Sequence, residues 1–223
     1  MGFFAENIRE HFSEQAKEKE YIHSLIIDFK NDTAIINNSV ANNKKIEVFD
    51  LTFLKLLKEN KKDSASLIKL AEYYKYSQNF FIGINDSKTY DELKSTGDFR
   101  LIKNRKVFDS VSHYYQQIAN MKTWLEERQS NLINNYIFGS KIIDLSVLGV
   151  TDSSGNIVSK FRNSDLQTPK PASEMDSYRF EYINRLTAFV LSLDSWELSL
   201  KIVKARSVAL MALLEKEYDV DGE

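Results

Sequence analysis

The stretch YINRLTAFVLSLDSWELSLKIVKARSVALMALL, residues 182–214, decides the fold. Alternating steps of four and three from Tyr182 pass through Leu186, Phe189, Leu193, Trp196, Leu200, Val203, Ser207, Leu210 and Leu214. All of these are apolar or aromatic except Ser207. In a chain that is 43% hydrophobic, chance placement rarely produces such a run. The spacing is that of a heptad-type seam along one side of a helix. Ile183, Val190 and Met211 widen the stripe, which suits packing in a bundle better than an isolated two-stranded coil. A helix over residues 173–218 would span roughly 70 Å at 1.5 Å per residue, so it needs long partners.

Two other segments can supply them. Over residues 5–60, Ile8, Phe12, Ile22, Leu25, Phe29, Ile36 and Val40 fall at helical spacings, with Phe49, Phe53, Leu56 and Leu57 resuming the face after a bend expected at Asn42–Lys45. Ser13–Glu20 is nearly all polar, so it is expected to project from the bundle or to pair with another copy. Over Asn104–Ile143, the seam is Val107, Val111, Tyr114, Ile118, Met121 and Leu125, weakening beyond. Between these long helices, Asp63 or Ser64 can cap a helix that ends near Tyr76. Asp86 or Ser87 can cap a short helix through Ser95, which Gly97 would close. Asp98 can cap the turn after it. Residues 145–171 hold both prolines, and Val147–Val150 with Ile157-Val158 around Ser154-Gly155 suggest a small β-hairpin or a plain connector.

The expected fold is therefore all-α: an elongated antiparallel bundle of long helices with one broken arm and a loop or hairpin insertion near 145–171. It is read as one domain over 1–223. Residues 5–20 form a polar neck, 21–144 and 172–218 the bundle, and 145–171 the connector. Seven Gly and two Pro fit long uninterrupted helices.

Composition narrows the chemistry. With a net charge of −2, there is no strong field to draw nucleic acid or an acidic membrane surface. The short clusters Lys44-Lys45 and Lys61-Lys62 are read as solvated helix faces. Cysteine is absent, which removes disulfides, thiolate metal sites and cysteine nucleophiles. No apolar run is long enough to span a bilayer, and no signal-peptide pattern is present, so the chain as given is expected to be soluble. No phosphate loop, zinc-protease motif or nucleophile elbow occurs. His11, His23 and His113 share no ligand spacing. Glu20 and His23 form one Glu-x-x-His unit, but a di-metal bundle needs two. No cofactor, metal or catalytic residue is assigned, and the chain is not read as an enzyme.

The residues that remain are Tyr73, Tyr76, Phe80, Phe81, Tyr90, Gly97, Asn104 and Tyr114. The first five, with Tyr74, can line an aromatic ligand pocket or pack the broken arm, and packing is the preferred reading. Tyr90, Leu93, Gly97, Leu101-Ile102 and Asn104 read as a tight helical corner: Gly97 permits positive φ, Leu101-Ile102 return to the core, and Asn104 opens the long helix.

At this corner the chain resembles an uncharacterised family of bacterial single-pass membrane proteins. Members have a basic cytoplasmic start, one transmembrane helix, a charged helical neck and a helical domain. Their pattern of Tyr-x-x-Leu-x-x-x-Gly, an apolar pair, then Asn opening a helix with a Tyr-Tyr pair corresponds to Tyr90, Leu93, Gly97, Leu101-Ile102, Asn104 and Tyr114-Tyr115. The likeness covers roughly residues 5–145. It implies a neck from Ala5 to Glu20 and a domain on the periplasmic face of the inner membrane, held by a transmembrane helix that this sequence lacks. It implies no activity. Function is thus expected to be non-enzymatic: an interaction or scaffold domain with a protein partner or as a homodimer, and alternatively a small-ligand sensor using the aromatic residues.

Overall fold

In the computed structural model the chain is all-α, and the long first and last helices pack together. The structure describes residues 2–77, 83, 88–139, 141–143, 171–172 and 174–219, without the side chains of 2–5, 7–8, 75–76 and 127–138. Helix α1 is Gly2–Glu59, α2 Ser64–Tyr76, α3 Lys88–Thr96, α4 Arg105–Gly139 and α5 Met175–Tyr218, with a 3₁₀ turn over Asp98–Leu101. No strand occurs among the described residues; one isolated antiparallel bridge joins Ile143 to Pro171. The hairpin expected near 145–171 lies outside the described residues.

The helices distribute into two compact units. The first holds Met1–Val40, Ile82–Leu125 and Glu197–Glu223; the second holds Ala41–Phe81 and Glu126–Trp196. Helices α1, α4 and α5 each contribute residues to both.

The seam of α5 is buried along its whole length, from Tyr182 and Leu186 through Trp196 to Leu210 and Leu214. The seam of α4 from Val107 to Leu125 is buried as well. Helix α1 runs continuously through Asn42–Lys45, and Asn43 is buried within it. Its buried face keeps the expected Ile22, Leu25, Phe29, Ile36, Phe53 and Leu57 and departs from expectation elsewhere. Phe12 is 65% exposed and Phe49 39% exposed. The buried line instead takes alternating steps of four and three through Glu18, Ile22, Leu25, Phe29, Asp32, Ile36, Ser39, Asn43, Ile46, Asp50, Phe53 and Leu57. Five of its twelve positions are polar, which is why apolar spacing alone traces the face only in part.

In the first unit, α1 and α5 run antiparallel. Ser207 Oγ donates to the Phe29 carbonyl at 2.9 Å, and Tyr218 donates to Glu18 at 2.7 Å. Helix α4 joins them through Phe29 and Tyr114, whose rings meet edge-on at 5.0 Å. In the second unit, Phe53, Leu57, Leu70, Tyr74, Ile142, Tyr182 and Leu186 share one core. Phe53 meets Tyr182 edge-on at 6.0 Å, and Arg179 donates to the Leu57 carbonyl at 3.2 Å. Gly139 ends α4 against the Tyr74 ring, so closely that a Cβ there would overlap it. Asp63 caps α2 as expected, accepting from the Ser66 amide at 3.0 Å and the Ser66 hydroxyl at 2.7 Å.

Candidate functional site

The corner between α3 and α4 forms largely as its residues dictate. Thr96 ends α3, and Gly97 follows at φ 74°, ψ 12°, a left-handed conformation that costs glycine little. Leu101 and Ile102 turn into the core. Asn104 caps α4, its Oδ1 accepting from the amides of Lys106 at 3.0 Å and Val107 at 3.3 Å. Its Nδ2 donates to Glu217 near the end of α5 at 2.8 Å.

Asp98 departs from expectation. Gly97, not Asp98, holds the cap position of the 3₁₀ turn. The Asp98 carboxylate turns to α1, taking Lys17 Nζ at 2.6 Å and the Tyr21 hydroxyl at 2.8 Å. A four-residue turn offers few free amides, whereas an ammonium and a hydroxyl make stronger charge-assisted bonds. Those two donors hold the Asp98 carboxyl below the usual carboxylate range, and the bond to Asp98 raises Lys17.

The polar stretch Ser13–Glu20, expected to project or to pair with another copy, is mostly exposed but packs here through Glu18. Glu18 is buried and accepts from the Lys103 amide at 3.0 Å and from Tyr218 at 2.7 Å. Lys103 Nζ lies 3.7 Å from Glu14. Burial, then the bond to Glu18, pushes the Tyr218 hydroxyl up.

Further along the first unit, an aromatic ladder runs Phe108, Phe99, Tyr90, Tyr115, Tyr114. Tyr90 stacks on Tyr115 at 4.3 Å and meets Phe99 edge-on at 5.1 Å; Tyr115 meets Tyr114 at 5.1 Å. Buried Tyr114 donates to Asp32 Oδ2 at 2.7 Å. Burial raises the Asp32 carboxyl while the Tyr114 bond opposes that rise. The Tyr115 hydroxyl is buried and has no hydrogen-bond partner among the described residues.

The expected pocket residues therefore separate. Tyr90, Gly97, Asn104 and Tyr114 belong to the first unit, where the two tyrosines each pack against Tyr115. Tyr73 belongs to the second, half-buried against its core and 5.8 Å from the Phe49 ring. Phe80, Phe81 and the Tyr76 side chain lie outside the described residues. Among the described residues, no three His, Cys, Asp or Glu side chains cluster to hold a metal. Glu20 and His23 both face outward.

Among the described residues of the first unit, two open clefts stand out. One, of about 630 Å³, carries charges of both signs, among them Arg9, Glu14, Lys17, Asp98 and Arg100. The other, of about 340 Å³, lies between α4 and α5 beside His113, Arg206, Ala209 and Leu213.

Sequence reasoning missed the outer face of α5. Leu198, Ile202, Ala205, Ala209 and Ala212 are all exposed, Leu198 at 60% and Ile202 at 42%. Val208 beside them is 48% exposed. At about 100° per residue, this stripe lies opposite the buried seam Leu200–Leu214. Its signal is the same four-three spacing, two residues out of phase.

No protein-family model, no curated protein and no solved structure matches this chain. Among the described residues, no helix is long and apolar enough to cross a membrane.

Proposed function

We propose that the chain is a non-enzymatic interaction domain that docks a protein partner through the outer face of α5. In this reading it stands on the periplasmic face of the inner membrane, tethered by a transmembrane helix outside the present sequence. The observation that carries the docking reading is the exposed apolar line Leu198, Ile202, Ala205, Ala209, Ala212. Apolar residues scattered singly over a surface need no explanation, whereas a contiguous stripe of them marks an interaction surface. The described acids Glu18, Asp32 and Asp98 serve interhelical bonds, so their chemistry is used in holding helices together. The tether rests on the family resemblance at the α3–α4 corner.

Docking is tested by placing a photo-crosslinking amino acid at Ile202 in the full-length protein in its native cells. Protein adducts at this position, absent when the label sits at exposed Lys94, are expected. Their absence from an abundant protein overturns the reading. Placement is tested by a periplasm-dependent reporter fused to the full-length C-terminus; a silent reporter on a well-expressed fusion overturns it.

A further inference from the structure

We infer that the partner on the outer face of α5 is a second copy of this chain, laid antiparallel so that Lys201 of each copy meets Glu215 of the other. This rests on the docking reading above and names its occupant.

Leu198, Ile202, Ala205, Ala209, Ala212 and Lys216 advance by four, three, four, three and four residues. That is the spacing by which one helix seats along another. The bundle occupies the opposite side of α5, through Leu200, Val203, Ser207, Leu210 and Leu214. The outer seam therefore needs a helix from elsewhere. Its three alanines leave room for a close approach.

The identity of that helix comes from the row beside the seam, which reads Lys201, Val208, Glu215 at intervals of seven. Reversed against itself, the row sets Lys201 on Glu215 of the second copy, Val208 on Val208, and Glu215 on Lys201. Each ion pair is formed twice by symmetry. A parallel arrangement would instead face Lys201 with Arg206 of the other copy, like charge on like. The same antiparallel register, centred near Ser207, puts Ile202 against Ala212 and Ala205 against Ala209, large on small and small on small. Lys201 is 59% exposed at its side chain and bonds Glu197, 15% exposed, at 2.6 Å on its own helix; an ammonium has three donors and can take Glu215 of the second copy as well. The opposite flank carries Ser199, Arg206 and Leu213. Its one like-charged contact is between the two copies of Arg206, and that side chain is drawn toward α4 by Gln117 at 2.5 Å.

Sedimentation equilibrium on the full chain is expected to show a dimer by about 100 μM. Ala209→Glu alters an exposed residue, so circular dichroism and the melting curve should stay as in the parent while the dimer dissociates at least tenfold more readily. Lys201→Glu should weaken pairing about threefold or more, and Lys201→Glu with Glu215→Lys in one chain should restore it. Because the chain has no cysteine, mixing Lys201→Cys and Glu215→Cys chains under oxidation should give a mixed disulfide dimer. A monomer at every concentration overturns the inference. So does a dimer indifferent to Ala209→Glu, or one that the double charge exchange fails to restore. If the chain is monomeric while Ile202 crosslinks to a protein of another mass, self-pairing falls and the docking reading stands. If Ile202 crosslinks to nothing, both fall.

Discussion

Single side chains in this molecule do opposite things with the same chemistry. Asp32 is an acid whose burial outweighs its bond to Tyr114, so its carboxyl titrates higher folded than unfolded. Its contribution to stability is fully present at acid pH and is lost as pH rises from the ordinary carboxylate range to the raised value. Asp32→Asn keeps an acceptor for Tyr114 and removes the charge. It should be at least as stable as the parent at neutral pH in urea unfolding, with its advantage shrinking toward acid. Asp32→Ala removes the carboxylate acceptor of the buried Tyr114 hydroxyl and should cost about 1–3 kcal/mol. If both variants lose equally at neutral pH, the burial account of Asp32 is wrong. Tyr115 offers the converse case: its hydroxyl is buried among ring contacts without a hydrogen-bond partner in the described residues. Tyr115→Phe should be neutral or stabilise by about 1 kcal/mol, read as an unchanged or higher urea midpoint.

At the scale of elements, the caps and seams set the outcome. Asn104 satisfies two amides at the start of α4, so Asn104→Ala should lower stability by about 0.5–2 kcal/mol, and Asn104→Ser should recover most of it. Two leucines on α5 make a sharper comparison, since they lie two residues apart on opposite sides. Leu200 is fully buried, and Leu200→Ala should cost about 2–5 kcal/mol. Leu198 is 60% exposed, and Leu198→Ala should change monomer stability by less than about 0.5 kcal/mol. Equal losses measured on dilute protein would contradict the assignment of inner and outer faces.

At the scale of the whole molecule, four aspartates fall into two sets with opposed pH behaviour, Asp32 raised and Asp63, Asp98 and Asp176 lowered. Asp98 is held low by Lys17 and then Tyr21, Asp63 by Ser66, and Asp176 by Lys62 at 2.5 Å. A depressed carboxyl contributes stability that is present above its unfolded value and lost as pH falls through its folded one. The chain should therefore lose stability below the ordinary carboxylate range, and Asp98→Asn should flatten that loss while lowering the melting temperature at neutral pH. A parent and variant with parallel acid profiles would rule out the corner as a source of acid sensitivity. Much of this architecture is legible in the residue order alone. The seams of α4 and α5, the Asp63 and Asn104 caps and the Gly97 turn all come from local spacing and backbone chemistry. The face of α1 is not legible in the same way, because Glu18, Asp32, Ser39, Asn43 and Asp50 occupy seam positions where an apolar pattern is blind. The stacking of Tyr90 on Tyr115 is not legible either, since it joins α3 to α4 through residues 25 apart in the chain.

What the residue order determined unaided is the all-α class and the helix that organises it. A four-three apolar repeat, few glycines and prolines, and caps at the ends act within a turn or two of the backbone, so they need no knowledge of the rest. Only the tertiary structure decided which polar groups go inside and which apolar ones stay out. Asp98 turns to Lys17 instead of capping its own turn, and Asp32 is buried because Tyr114 meets it. Leu198 and Ile202 face outward although they share the four-three spacing of the buried seam. The buried stripe is the one richer in large apolar residues, as spacing alone shows; long-range packing adds what spacing cannot carry, the Phe29 carbonyl of α1 that accepts from Ser207, the one polar position of the seam.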